Sequence, residues 1–390
     1  MKRILFLLLA LLGFQILQAQ SETQLTEESV ISLLTCGPGD ELYSTFGHSA
    51  IRVKDPAYGD IVFNYGTFSF DQPNFYLRFA RGRLLYRLSV EPYSHFREYY
   101  VYTNRFIIEQ ELNLTLEQRQ RLYELLEENY RPENREYPYH FFYDNCSTRI
   151  RDILEKALDN KVDFNYPEDA GQKSFRMMTD EYLIPGKQYW GDYGIDLCLG
   201  LPTDNIATPY QEMFLPDYLM DHFERAEIVT ETGKVPLVSN TREVFMTTPQ
   251  FERPFITPAR LNWALFVLVM LFTIVRKTPL RFGAFDYVLF GIIGLLGVSL
   301  ALLWIATDHT DARYNMNLLW ALPTHLLLLP FFGKKPRFRK VYFGVTAMIG
   351  LLLLVMWPLL PQDLHYACVP LVLLLSLRSY YLYRAQPKNS

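Results

Sequence analysis

The chain has 390 residues, 49% of them hydrophobic, and a net charge of −4, a length that accommodates two domains and a charge balance that gives nucleic acid no footing, because the basic residues do not gather into a patch within the polar portion. The apolar residues are unevenly spread: the last third of the chain is far richer in them than the rest.

Met1, Lys2 and Arg3 precede an apolar run over residues 4–12, and Gln18, Ala19 and Gln20 follow it. A charged n-region, an apolar h-region and a small-residue exit predict a signal peptide over residues 1–19. The polar Gln15 and Gln18 argue against an uncleaved anchor helix. Residues 20–254 are then an exported domain.

Within that domain, residues 28–35 are apolar and stop at the turn signal Cys36-Gly37-Pro38-Gly39-Asp40. From His48 to Val53 the residues alternate, with His48, Ala50 and Arg52 on one face and Ser49, Ile51 and Val53 on the other. A turn at residues 55–60 leads to a second strand at 61–65; a hairpin of even register sets Asn64 on the His48 face. Residues 83–90 and 99–112 read as further strands, dense in Tyr, Phe, Ile and Leu. The expectation is a sheet of at least four antiparallel strands, with His95 in a connection at 91–97. Thr115 and Gln118 form a capping-box pattern that starts a scaffold helix ending near Asn129.

Tyr143-Asp144-Asn145-Cys146-Ser147-Thr148-Arg149 runs into the helical spacing Ile150, Ile153, Leu154, Leu158, so Cys146 opens a helix. Unpaired N–H groups and the positive end of the dipole gather there and bias a thiol toward thiolate. Such a thiol needs a base. His48, set between a glycine and a strand, is the best partner; His95 and His140 rank behind it because neither has such a strand. Asn64 either orients the imidazole, completing a Cys/His/polar arrangement, or bonds the backbone at a strand end. The plainer alternative is a buried apolar thiol with a satisfied histidine elsewhere. No His, Cys or Asp spacing matches a zinc site and no helical His-x-x-x-His pair occurs, so neither metal nor cofactor is expected. Four cysteines, Cys36, Cys146, Cys198 and Cys368, are no disulfide framework; Cys36 and Cys198 either pair or remain separate buried thiols.

From residue 255 onward five runs approach the roughly 20 apolar residues that a membrane span needs: 255–275, 285–306, 317–332, 341–360 and 366–383. The first asks Arg260 to snorkel. The third is short, interrupted by Pro323 and Pro330, and carries His325, which is either functional or bonded to a neighbouring helix. Arg276, Lys277 and Arg281 follow the first run, Lys334, Lys335, Arg337, Arg339 and Lys340 the third, and Arg378, Arg384 and Lys388 mark the tail. The loops after the second and fourth hold Asp308, Asp311 and Asp363, with Arg313 as their only Arg or Lys. The positive-inside rule therefore places the C-terminus in the cytoplasm and the exported domain on the extracytoplasmic side of a multi-pass membrane protein. The loop at 308–317 shares the side of Cys146, as a cover for it or as an ordinary connection.

Pro38-Gly39-Asp40, the motif from Phe46 to Val53, Phe63-Asn64-Tyr65-Gly66-Thr67-Phe68 and Asn145-Cys146-Ser147-Thr148 resemble the periplasmic domain of the Bacteroidetes lipoprotein N-acyltransferase family, Lnb. The likeness continues through residues 193–204 and 213–219 and through the tail, including Asp308-His309 and residues 315–320. It covers nearly the whole mature chain. The resemblance implies an α+β fold, a circularly permuted NlpC/P60 (papain-like) domain with an antiparallel sheet, followed by an all-α five-helix transmembrane domain over 255–390. The His strand preceding the Cys helix is the reverse of papain order. It further implies transfer of an acyl chain from a phospholipid, through a thioester on Cys146 with His48 as base, to the α-amine of a diacylglyceryl-cysteine lipoprotein. Two rivals stand beside it: a membrane-anchored thiol peptidase of cell-wall peptide, and an envelope scaffold without a base near Cys146.

Overall fold

Alternating apolar residues and short turns build a seven-stranded sheet in the periplasmic half of this computed structural model, which describes residues 24–275 and 282–384. The expected signal peptide, Arg276, Lys277, Arg281 and Lys388 lie outside the described residues. In chain order the first elements are β1 (Val30–Cys36), β2 (His48–Asp55), β3 (Gly59–Thr67), α1 (Phe75–Ala80), β4 (Leu85–Pro92), α2 (Tyr93–Tyr102), β5 (Ile107–Leu112), α3 (Leu116–Tyr130), β6 (Glu136–Pro138) and α4 (Cys146–Ala157). There follow β7 (Val162–Asp163), α5 (Phe175–Leu183), α6 (Tyr189–Cys198), α7 (Pro209–Glu212), α8 (Pro216–Arg225), β8 (Glu227–Thr230), β9 (Gly233–Pro236) and β10 (Val238–Phe245). The sheet order is β10-β5-β1-β2-β3-β4-β6, and every pairing is antiparallel.

Both faces of the central strands are covered. Ile31, Leu33, Ile51, Val53 and Phe63 pack with Leu122 and Leu126 of α3 and with Ile150, Ile153 and Leu154 of α4. On the opposite face Leu34, Ala50 and Val62 meet Phe96 and Tyr100 of α2. Arg52 shares that face and is buried, yet it is satisfied: Asp60 and Glu109 accept from it at 2.6 and 2.9 Å, and it lies 3.5 Å from the centre of the Tyr93 ring.

Two expectations are corrected. The strand expected at 99–112 is only Ile107–Leu112, and Tyr99–Tyr102 ends α2, because packing Phe96 and Tyr100 at i, i+4 against the sheet overrides the β propensity of the tyrosines. His95 consequently sits on a helix, and Glu91 belongs to β4 instead of a connection. The capped helix appears as expected, with Thr115 accepting from the Gln118 N–H.

The C-terminal part comprises α9 (Pro258–Val275), α10 (Ala284–Ala306), α11 (Thr324–Leu327), α12 (Leu329–Phe332), α13 (Pro336–Met356) and α14 (Val369–Arg384). Among the described residues three helices, Ala284–Ala306, Pro336–Leu359 and Tyr366–Arg384, are long and apolar enough to cross a membrane, and Pro258–Thr273 is a shorter apolar helix. The third expected span is not one helix: a 3-10 turn at Met316–Leu319 is followed by α11 and α12, since Pro323 and Pro330 withhold backbone donors. This broken segment lies against α10, where Gly294 and Gly297 admit the Leu326 N–H and the Ala321 carbonyl so closely that a side chain at either glycine would clash. His325 bonds a neighbouring helix, its Nδ1 lying 2.8 Å from the Tyr342 hydroxyl.

The ends of α10 and α13 that lack Lys and Arg clusters are the ends on which the periplasmic domain docks. Just past α10 the Asp308 N–H donates to Arg81 O at 3.0 Å, and beyond α13 Gln362 Nε2 donates to Leu199 O at 3.0 Å. All four cysteines are free; Cys36 is buried and Cys198 is exposed, so they do not pair.

Candidate active site

Cys146 opens α4 because Asn145 caps it. Asn145 Oδ1 accepts from the N–H groups of Ser147 and Thr148 at 2.9 and 3.0 Å, Thr148 Oγ1 accepts from the Asn145 N–H at 2.8 Å, and Asn145 Nδ2 donates to Phe141 O and Phe214 O at 2.7 and 2.8 Å. Every polar group of this buried side chain is used. The helix start is thereby fixed, and a cap of this type contributes about 1 kcal/mol. A second tie joins it to the sheet: the hydroxyls of Ser49 and Ser147 lie 2.9 Å apart.

His48 opens β2 opposite Cys36 of β1. Gly47 has φ +76°, and a Cβ there would stand 2.7 Å from Cys36 O, so only glycine allows the chain to turn into the strand at this point. Arg52 pairs with Val62 in the β2–β3 hairpin, and the alternation that sets His48 on the Arg52 face sets Asn64 on the Val62 face. The even register follows, and His48 Nε2 lies 3.2 Å from Asn64 Oδ1. Asn64 Nδ2 in turn donates to Glu91 Oε1 at 3.1 Å. A polar file thus runs from Glu91 through Asn64 and His48 to the sulfur.

The charge of the His48 imidazole also reaches the Cys146 thiol. With Nε2 held by Asn64, Nδ1 is the nitrogen left for it. Burial pushes this partly buried thiol up, but the charge of His48, the Ser49 N–H and the Ser147 hydroxyl outweigh burial, and the net effect holds it below the ordinary thiol value. Cys36 shows the contrast: burial drives its thiol far upward, as suits a structural cysteine. Burial likewise raises the Glu91 carboxyl, partly offset by His95, His48 and Asn64.

The structure therefore brings Cys146, His48 and Asn64 together. The two other histidines are engaged elsewhere: His95 lies near Glu91, and His140 Nε2 contacts Thr310 Oγ1 at 3.0 Å and Asp311 Oδ2 at 3.3 Å. The loop at 308–317 bonds the chain at Phe79, Arg81, Arg83, His140 and Gly200, beside the Cys146 helix. Glu91 was missed because the strand reading stopped one residue short, although its alternation with Arg87 and Ser89 carries the signal. Gly66 was missed as well. It sits at a bulge with φ +81°, and a Cβ there would be 3.5 Å from both Cys146 Cβ and Tyr139 Cε2.

A second cluster lay beyond any sequence spacing. Asp192, Asp196 and His365 are buried, with ligand-type atoms within 4.8 Å of one another. They are occupied with each other and with Arg176: His365 Nε2 is 3.1 Å from Asp192 Oδ2, His365 Nδ1 accepts from the Ala367 N–H at 3.0 Å, and Arg176 pairs with Asp196 and with Asp204.

Among known protein families, a model described as the Lnb N-terminal periplasmic domain matches residues 18–179, and one described as the Lnb transmembrane domain matches residues 250–390. No curated protein and no solved structure gives a match.

Proposed function

The chain belongs to the Lnb family, a membrane protein with a periplasmic domain, and from that premise and the Cys146 geometry we propose that it is a lipoprotein N-acyltransferase working through a thioester. One observation carries the reading: a thiol at a helix start, held below its ordinary pKa by a histidine that is itself bonded to Asn64, in a domain docked on membrane helices.

His48 takes the thiol proton and Sγ attacks the ester carbonyl carbon of a phospholipid. The Cys146 N–H, at the first helical position and outside the helix ladder, faces the oxyanion. The C–O bond breaks, the lysophospholipid alcohol leaves with the proton from His48, and a C–S bond holds the acyl group. The α-amine of a diacylglyceryl-cysteine then attacks the same carbon and gives its proton to His48. A C–N bond forms, the C–S bond breaks, and the thiolate recovers the proton. Asn64 positions the imidazole throughout.

The order of His strand and Cys helix supports reading the sheet and α4 as a circularly permuted NlpC/P60 core. Five crossings require the short α9 and the broken α11–α12 segment to traverse the bilayer along with the three longer helices. Both substrates reside in the membrane, which gives a thiol enzyme reason to carry such a domain. A cell-wall peptidase would use the same dyad with water as acceptor; the non-enzymatic alternative needs Cys146 without a base, whereas His48 lowers the pKa of its thiol.

Intact-mass measurement after incubation with phospholipid tests the reading. The wild type gains one acyl chain, labile to hydroxylamine, and Cys146→Ser does not. No adduct on the wild type, together with unchanged N-terminal lipoprotein acylation in a Cys146→Ser strain, overturns it.

A further inference from the structure

Aromatic rings run without a break from Cys146 to the outer end of a membrane helix. Tyr139 and Cys146 flank Gly66. Tyr139 stacks on Tyr86 with centroids 4.0 Å apart, Tyr86 meets Phe68 at 5.1 Å, Phe68 stacks on Phe75 at 6.1 Å, and Phe75 stacks on Phe79 at 6.4 Å. The last two belong to α1, a six-residue helix with no buried residue. Tyr76 is 81% exposed, Leu77 58% and Phe79 56%. So much contiguous apolar surface on one short helix marks a contact face.

The bonds that hold α1 identify its surroundings. The Asp308 N–H donates to Arg81 O at 3.0 Å, His309 Nε2 lies 2.9 Å from Phe79 O, and the Asp308 carboxylate pairs with Arg83. Asp308 stands two residues beyond Ala306, the last residue of the spanning helix α10. The helix α1 is therefore pinned at the level where a membrane helix leaves the bilayer on the periplasmic side. Tyrosine and phenylalanine with an apolar body suit that depth, and the exposed Arg81 suits a phosphate headgroup.

We propose that α1 is seated in the outer leaflet beside α10 and that the ring path from Phe79 to Tyr139 is the route by which a phospholipid acyl chain and its ester reach Cys146. The route rests on the acyl-transfer reading; the seating does not. Continuity with the end of α10 and the arginine flank select a phospholipid of the outer leaflet as occupant over a second copy of the chain.

The test uses the full-length protein in vesicles of phosphatidylethanolamine and phosphatidylglycerol. An environment-sensitive fluorescent amino acid replaces Tyr76, or, in two controls, the lipid-facing Val288 of α10 and the exposed Tyr58 of the β2–β3 turn. Quenching by spin-labelled lipid at Tyr76 is expected to approach that at Val288. Quenching no greater than at Tyr58, or shielding that depends on protein concentration as a second copy would produce, overturns the seating. For the route, the triple variant Tyr76→Ser, Leu77→Ser, Phe79→Ser is compared with wild type in acylating Cys146 from vesicle phospholipid and from a water-soluble short-chain ester. The ratio of the two rates is expected to fall at least tenfold. An unchanged ratio overturns the route. Quenching of the probe at position 76, together with a wild type that accepts acyl groups from neither ester, refutes acyl transfer and the route with it, and supports the seating.

Discussion

The Cys146 centre and the joint around Arg176 are both clusters of titratable side chains, and they differ in what is left over. At the joint Arg176 and its partners close on one another: Arg176 donates to Asp204 at 3.0 and 3.1 Å, to Thr203 Oγ1 at 2.8 Å and to Asp196, while His365 bridges Asp192 and the Ala367 N–H. At Cys146 the file from Glu91 through Asn64 and His48 leads to a half-buried cysteine at the N–H groups of a helix start. Closed clusters hold domains together; a file with a free end is equipped to react. The donor set of Asp192, Asp196 and His365 lies within metal-ligand distance and is bonded within itself, to Arg176 and to the Ala367 N–H.

The largest expected effect removes the free end. Cys146→Ser or His48→Ala is expected to lower acyl transfer by about a thousandfold or more while leaving the thermal transition in place, since nucleophile and base act as a unit. Normal transfer by either variant would move the chemistry to another residue. At the joint, Arg176→Ala leaves two buried carboxylates without their cation, a change that costs about 3–5 kcal/mol. It is expected to lower Tm sharply, and an unchanged Tm would mean that the joint is not what holds α5 and α6.

Asn64→Ala comes next, with a loss in kcat of about a hundredfold at most, because it frees the imidazole without removing it. The pH profile separates positioning from folding. His48 holds the Cys146 thiol below its ordinary value, so iodoacetamide alkylation of the wild type reaches its half-point at lower pH than an ordinary thiol. His48→Ala shifts that half-point upward toward the range of a free cysteine, and coincident profiles would contradict the influence of His48 on the thiol.

Much of this centre was legible because it is local. Asn145 through Thr148 spell a helix cap, and Gly47 before His48 marks a turn into an alternating strand, so the helix start at Cys146 and the Asn64 register follow from neighbouring residues. The membrane domain was legible by composition, apart from the backbone breaks at Pro323 and Pro330. What was not legible is long-range. Nothing near Tyr99 announces that Phe96 and Tyr100 pack as a helix on the sheet, and His365 meets Asp192 across 173 residues. Spacing rules see one element at a time; the joint exists only where two domains meet.

The smallest effect concerns Asp180, which faces the joint without a cation of its own among its hydrogen-bond partners. Burial, followed by the charges of Asp196 and Asp192, pushes its carboxyl up to about 8. In the unfolded chain it titrates near the ordinary value of about 4. Below that pH both states hold the proton and stability is indifferent to it; between about 4 and 8 the folded state alone retains it, so stability falls as pH rises. Above about 8 the folded joint must carry a further negative charge. Asp180→Asn keeps the shape and a donor toward Asp192 but has no proton to lose. Its Tm is therefore expected to decline less than that of the wild type between pH 5 and pH 8, and parallel declines would show that the charge on Asp180 is met by groups outside the joint.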